Sequence, residues 1–488
     1  MMRLRRLTQT GLSTRALPRI LKTRALPRIL KTPPSKCHKS TAIVAHDDGN
    51  VSDDVTSYST TKASYEAMHA RARDDPEAFW LDACKRIDWV RAPSTALDSS
   101  RAPHFYQWFP DGVLNTCHNA LDRHLEARGS QAAIAYHSTV GGRSRDISYA
   151  ELHADVSRFA GALSDFGVTK GDCVLIYMPM VPEALVAMLA CARLGAIHSV
   201  VFGGFAPKEL AVRIEDAEPV AIVTSSCGIE KGAVLPYVPM LAAALDLCTH
   251  TPRHIAVHQR PEAPEAFEVL AARDTPSTRW HDFDTALERA LPRACVPLKA
   301  SDPLYILYTS GSTGPPKGVV RDNTHAVAIQ WTMDHFMGVQ PGETYFAASD
   351  IGWVVGHSYI CYGPLLHGCT TVLYEGKPVG TPDAAEWWRV IERYKVAAMF
   401  TAPTALRALR KVDAETTLAR AYDLSSLRTL FLAGERCDPG TLDHFSKALD
   451  VPLIDNWWQT ETGSPIAGFV PVEVGTESSR ELMDPDCL

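Results

Sequence analysis

The 488-residue sequence predicts an α/β fold with parallel sheets flanked by helices. Three observations carry that expectation. From about Gln131 onward, short apolar runs alternate with longer segments of helical spacing. Helical segments end on glycine, as in EALVAMLACARLG (183–195). The stretch YTSGSTGPPKGVVR (308–321) overlaps the end of an apolar run, PLYILYT (303–309), and loops at strand ends of such sheets are where ligands usually sit.

Composition narrows the class further. The chain is 46% hydrophobic and 22% charged, long enough for two or more domains, and has no low-complexity tract. No uninterrupted apolar run reaches the ~18 residues of a membrane span, so no transmembrane segment is expected. The formal charge of -7 hides an asymmetry: residues 1–46 hold eleven Lys/Arg and no acid, which leaves 38 basic against 56 acidic residues, or -18, for the rest. So acidic a body argues against nucleic acid as the main partner. The basic leader carries Arg, Ser and Thr between apolar residues and repeats TRALPRILK from Thr14 and again from Thr23. That composition predicts a targeting segment for the mitochondrial matrix. Twelve cysteines show neither CxxC pairs nor zinc-type spacing, and are expected to be buried free thiols. Cys369 beside His367 reads as packing.

Along the chain, residues 47–130 form an N-terminal segment. Its part 64–89 has helical spacing, followed by a connector rich in proline and aromatic residues. Residues 131–466 carry the α/β pattern, with strands expected at 173–178, 197–202, 220–225, 303–309, 344–349, 370–375, 397–401, 428–434 and 452–456. HAVAIQWTMDHF (325–336) reads as the helix following the glycine-rich loop. The insert CGIEKGAVLPY (227–237) places Lys231 between glycines after a strand, as a phosphate contact or a surface turn.

The glycine-rich loop has a definite chemistry. Backbone N–H groups in such a turn wrap phosphate oxygens, hydroxyls add donors, and Lys317 supplies a point charge. A Walker-type loop needs G-x-x-x-x-G-K-[ST], and here Pro316 precedes the lysine and Gly318 follows it. Kinase elements and a G-x-S-x-G elbow are also missing. Two further clusters lie downstream. SDIGWVVGHSYICYGPL (349–365) holds Trp353, His357 and Tyr359, and DNWWQTETG (455–463) holds an acid, an amide, paired tryptophans and a glutamate. Aromatic planes suit an adenine or a small apolar pocket, and Glu461 suits a magnesium ion bridging phosphates. All three clusters are expected at strand ends of one parallel sheet.

Together these motifs resemble the adenylate-forming enzymes, specifically the short-chain acyl-CoA synthetases for acetate and propionate, from about Ser64 to Pro465. YTSGSTGPPKG looks like that family's phosphate loop, LAGERCD (432–438) its adenine-side loop, and DNWWQTETG its adenylate signature. The resemblance implies the large N-terminal domain of an adenylate-forming enzyme. It also implies ATP, Mg2+ and CoA as cofactor and co-substrates, with a small carboxylate activated through an acyl-adenylate. It assigns Thr309, Ser310, Gly311, Ser312, Thr313, Gly314 and Lys317 to the phosphates, and Glu461 to magnesium. Gly434, Glu435 and Arg436 fall on the adenine, and Asp455, Asn456, Trp457, Trp458, Gln459 and Thr460 surround base and α-phosphate. Lys231 falls in the region that holds CoA phosphates. Trp353, Val354, Val355, Ala433 and Trp458 fall on the acyl pocket. Arg436 departs from the proline common in acetate enzymes, and the Lys231 insert lacks the usual arginines. Trp458 closes the pocket after a few carbons, and Ala433 in place of a larger valine leaves room for about one more. Propionate is therefore expected ahead of acetate.

The resemblance stops near Ile466. Residues 467–488 form a divergent tail, and the family's C-terminal small domain, with its adenylation lysine, is expected to be absent. Impaired turnover is the corresponding expectation, with a nucleotide-binding pseudoenzyme or splice fragment as the alternative. Nothing in the sequence indicates an oligomeric state.

Overall fold

The structure is a computed structural model that describes residues 62–230, 232–264, 267–309 and 314–468. The leader with its repeat, Lys231, the loop residues Ser310, Gly311, Ser312 and Thr313, and the tail beyond Gly468 lie outside the described residues.

Seventeen strands build two large sheets and one small hairpin. In chain order they are β1 (Ala132–Ser138), β2 (Arg143–Ser148), β3 (Cys173–Tyr177), β4 (Ile197–Val201), β5 (Ala221–Ser225), β6 (Cys227–Glu230), β7 (Ala233–Pro236), β8 (His254–His258) and β9 (Arg279–Asp282). There follow β10 (Pro303–Thr309), β11 (Lys317–Asp322), β12 (Thr344–Ala347), β13 (Thr370–Glu375), β14 (Val396–Thr401), β15 (Thr429–Leu432), β16 (Leu453–Trp457) and β17 (Ala467–Gly468). The first sheet has the order β9-β8-β5-β3-β4-β10-β11, and the second β17-β16-β15-β14-β12-β13-β1-β2. Neighbours are parallel inside both sheets, and antiparallel pairs occur only where β11, β17 and β2 close an edge.

The expected α/β class with parallel sheets holds, and each of the nine expected strands recurs within two residues of its predicted ends. They are readable because strands buried on both faces are near-continuous apolar runs, as in CVLIY of β3, buried along its whole length. Helix Pro182–Leu194 starts with proline at its first turn. It stops at Gly195, whose left-handed φ of +70° and close approach to Leu298 leave no room for a Cβ.

Two expectations need correction and one needs an addition. The strand ends lie on two sheets: β10 belongs to the first, whereas β12, β15 and β16 belong to the second. Helix His325–His335 is the next helix after the glycine-rich loop, as expected, but an unexpected strand, β11, comes before it. β10 and β11 on either side of that loop pair antiparallel, and Lys317 opens β11. Segment 64–89 is not one helix but two, Lys62–Asp74 and Pro76–Ala83. Pro76 cannot continue the first helix, and Asp75 accepts the Ala78 N–H at 3.0 Å to cap the second.

The sheets are locked together at their junction. The Gly352 backbone lies against Phe202 at the end of β4, where an added Cβ would come within 2.7 Å of the Phe202 Cα. His198 of β4 stacks on His357 at 5.3 Å and has its Nε2 2.6 Å from the Tyr362 hydroxyl. The N-terminal helices pack Phe79 and Trp80 against Trp331, at 6.0 and 6.1 Å, contacts worth roughly 0.5–1.5 kcal/mol each beyond the area buried. All ten described cysteines are free and eight are buried. Cys369 donates to the Gln340 carbonyl at 3.2 Å, a packing role as expected. No described helix is long and apolar enough to cross a membrane.

Candidate active site

The phosphate-type hairpin is held from below. Tyr308 donates its hydroxyl to Asp216 at 2.7 Å, anchoring the end of β10 to helix Pro207–Ala217. The antiparallel register then sets Thr309 directly opposite Lys317, so that both flank the mouth of the loop between them. Lys317 is exposed and Thr309 half-buried. Gly314 has φ +107° and open space where a Cβ would stand. This position needs glycine for its backbone, and no atom of the described residues beyond its immediate chain neighbours lies within 4 Å of where a Cβ would stand.

The second group of residues comes from β15 and β16. Ala433 and Gly434 continue β15, with Gly434 at φ +97° and again open space before it. Glu435 is exposed and pairs with Arg407 at 2.5 Å, while Arg436 beside it is also exposed. Asp455 on β16 accepts the Cys437 N–H at 2.9 Å, which ties the loop after β15 to the neighbouring strand. Burial raises the Asp455 carboxyl above its ordinary range. Asn456 donates to the Leu432 carbonyl at 2.9 Å and keeps a buried, unpartnered side-chain oxygen. Trp457 is 59% exposed, whereas Trp458 is 8% exposed and wedged edge-on against Tyr359 and Phe400 at 5.5 and 6.0 Å.

After Trp458 the chain makes a tight turn. Gly463 N donates to Gln459 O at 3.0 Å, and the Thr462 hydroxyl lies 3.0 Å from both the Gln459 and the Ser464 carbonyl, with one proton to donate between them. Gln459 and Glu461 are exposed on this turn, with Thr460 half-buried. Arg321 of β11 donates through Nη2 to the Thr460 and Glu461 carbonyls, both at 2.8 Å. The Ser358 hydroxyl donates to the Gly463 carbonyl at 2.6 Å. Although they come from different sheets, hairpin and turn therefore meet at one place.

The segment after β12 divides its predicted residues. Val354 and Val355 pack on the apolar cluster that contains Ala433, Trp458, Tyr359 and Phe400. Trp353 does not join it. That indole is 52% exposed, lies 5.8 Å from the Phe202 ring, and lines a cavity of about 470 Å3 between the sheets. Met180, Glu230, Asp350 and Lys377 also line this cavity, and Lys377 pairs with Glu230 across it at 3.4 Å. Glu230 ends β6, next to Lys231. Burial pushes the Asp350 carboxyl up to about 6. Below Trp353, burial takes His357 down to about 4 and His198 and His325 well below the usual imidazole value, so this buried cluster is neutral at pH 7.

Sequence reasoning missed Arg321, Ser358, Lys377 and Arg407. For Arg321 a signal existed: KGVVRD puts Lys317, Val319 and Arg321 on one face if it is a strand. The donor set around the turn suits a hard cation. Glu461 offers one exposed carboxylate on the turn that Arg321 of β11 grips, and magnesium is commonly held by one or two carboxylates plus substrate phosphates. Among the described residues the only three-ligand cluster is Cys117, Asp122 and Cys295, away from this turn and already bonded to Arg193.

Comparison with known proteins decides the lineage. Residues 121–482 match the AMP-binding enzyme family, and residues 65–120 match the acetyl-coenzyme A synthetase N-terminus. The chain belongs to the AMP-binding enzyme family. It is 51% identical over 404 residues to mouse acyl-CoA synthetase short-chain family member 3, mitochondrial, covering 82% of this chain and 58% of the relative. It is 46% identical over 407 residues to the propionate–CoA ligase of Escherichia coli K12, covering 83% of this chain and 63% of that one. The acetoacetyl-CoA synthetase of Streptomyces lividans matches in structure with a TM-score of 0.74 at 25% identity, over 84% of this chain and 62% of that one. The chain thus spans 58–63% of the length of these relatives.

Proposed function

We propose that this protein is an AMP-forming short-chain carboxylate–CoA ligase, with propionate preferred and acetate accepted. The observation that carries the reading is the meeting of the β10–β11 hairpin with the 459–463 turn through Arg321, inside a chain of the AMP-binding family. Relatives named for propionate and for short-chain acyl-CoA synthesis support the substrate class.

In this reading the hairpin tip, Thr309 and Lys317 hold the β- and γ-phosphates of ATP, and the open backbones at Gly314 and Gly434 admit phosphate and adenine. A carboxylate oxygen attacks the α-phosphorus, pyrophosphate leaves, and the CoA thiol then displaces AMP from the acyl-adenylate. Both substrates of the first step are anions, so positioning and charge neutralisation supply most of the rate. Magnesium, when bound, neutralises phosphate charge, and Glu461 is the residue that would hold it. The carboxylate's short tail sits among Val354, Val355, Ala433 and Trp458, and the cavity beside Trp353 and Lys377 suits the approach of CoA. The relatives named as mitochondrial and the acid-free basic residues 1–46 favour a mitochondrial location.

The test is the purified chain with ATP, MgCl2, CoA and propionate, followed by AMP, pyrophosphate and thioester together. Whatever turnover the chain supports should release the three products in equal amounts, and the impaired rate expected from the sequence is read in the same assay. Formation of ADP in place of AMP, or best use of octanoate, overturns the reading.

A further inference from the structure

We propose that Arg321 is a positioning residue that sets the Glu461 carboxylate against the phosphate hairpin. The inference rests on the reading of Glu461 as the magnesium-facing group.

Arg321 stands four residues beyond Lys317 on β11, on the same face of the strand and about 13 Å along it. The strand that begins with the phosphate-type lysine therefore also carries the grip on the turn. The grip is bidentate, since Nη2 donates to two successive carbonyls, those of Thr460 and Glu461, each at 2.8 Å. Charge-assisted bonds of this kind are stronger than neutral ones and fix geometry as well as distance. A lysine ammonium lacks the planar, pre-organised guanidinium that aims its donors in fixed directions.

The turn is shaped to receive the guanidinium. Gly463 has φ +73°, and a Cβ there would stand 3.0 Å from Arg321 Cζ and Nη2 and 2.8 Å from His325 Cε1. Glycine is thus required both by the backbone and by the close approach of Arg321. Among the described residues, Arg321 and Ser358 are the two side chains from outside the turn that bond its backbone at 459–463. Ser358 holds the Gly463 end from the second sheet, and Arg321 holds the Glu461 end from the first. Of the two, only Arg321 couples the position of Glu461 to that of Lys317.

The expected signature separates positioning from mere packing. ATP binding to the full 488-residue chain is measured by calorimetry in MgCl2 and in EDTA, for the unmodified chain, Arg321→Lys, Arg321→Met and Glu461→Gln. Loss of a group that orients a metal ligand typically weakens metal binding roughly 10–100-fold. Arg321→Met should therefore lose most of the magnesium-dependent gain in ATP affinity while keeping the affinity in EDTA, and Arg321→Lys should recover part of the gain. If Arg321→Met lowers the melting temperature but keeps the full gain, Arg321 is structural only and the proposal is overturned. Should Arg321→Met not fold, a full gain in Arg321→Lys with a changed turn conformation overturns the proposal in the same way. A gain that persists in Glu461→Gln, or is missing from the unmodified chain, overturns the reading of the site and this inference with it.

Discussion

Arg260 and Glu375 form a bidentate ion pair, at 2.6 and 3.0 Å, that joins the two sheets beside the inter-sheet cavity, which Glu375 lines. Arg260 follows β8 and is 1% exposed, and Glu375 closes β13. Tyr136 and Ser138 also donate to Glu375, at 2.9 and 2.6 Å, so the carboxylate is well satisfied inside the protein. Breaking a buried pair by removing one partner typically costs about 3–5 kcal/mol, and here Glu262, 3.3 Å from Arg260 Nε, remains to offset part of that cost. Glu375→Gln should therefore lower the denaturation midpoint strongly in urea. Replacing both residues with methionine should recover most of that loss. A single-variant cost under ~1 kcal/mol would show that water reaches the pair.

Asp350 makes a pH-dependent prediction. Its carboxyl is pushed up to about 6 by burial, with the Gly352 N–H at 2.7 Å working against the rise, whereas an unfolded aspartate titrates near 3.8. The folded form thus favours the neutral acid, and stability falls as pH rises from about 4 to about 6. Above that window the penalty is fully present. Asp350→Asn should raise the melting temperature at pH 7.5, by the equivalent of roughly 2 kcal/mol after discounting for partial exposure, and change little at pH 4. An equal effect at both pH values would remove the titration from the account.

Lys317 and Thr309 face each other across the hairpin mouth, and both should matter for nucleotide affinity. Hydrogen bonds to a charged partner are worth about 1.5–3 kcal/mol, or roughly ten- to a hundredfold in binding. Lys317→Ala should weaken ATP by that factor and flatten the salt dependence of binding. Thr309→Val should do less, because a neutral hydroxyl supplies a weaker contact. Equal ATP affinity in Lys317→Ala and the unmodified chain would place the phosphates elsewhere.

Much of this architecture is legible in the sequence because buried parallel strands are nearly pure apolar runs. Edge strands are not: β2 and β11 each carry three charged residues in six and resemble loop, so the strand that Lys317 opens is not recognisable in the sequence. Membership of two different sheets is equally hidden, since the pairing of β10 with β4 and of β15 with β14 depends on contacts far apart in the chain. In the candidate site, the motifs stand out by composition. The residues that bring them together do not. Arg321 and Thr460 are 139 positions apart, and Ser358 and Gly463 are 105 apart, so neither bond has a local signature. Trp458 is recognisable as a wall, but its clamping by Tyr359 and Phe400 is not.

That clamp bears on acyl-chain length. Trp458 is held edge-on by Tyr359 and Phe400, and the Tyr359 hydroxyl lies 2.9 Å from that of Thr332, so the wall cannot swing aside at low cost. Ala433 is 4% exposed at the end of β15, and the Ala433 N–H donates to the Thr401 carbonyl at 3.2 Å, which fixes its place beside the wall. A valine there adds two methyl groups to the apolar cluster that contains Trp458. One buried methylene is worth roughly 0.8 kcal/mol, about fourfold in binding. Ala433→Val should therefore narrow or reverse a preference for propionate over acetate by several-fold, read as the ratio of kcat/KM values. Valine also crowds the start of the Gly434 loop, so ATP affinity is measured alongside: a fall common to both acids reports the loop, and only a change in their ratio reports the pocket. If that ratio stays fixed while both acids remain substrates, Ala433 does not bound the acyl pocket.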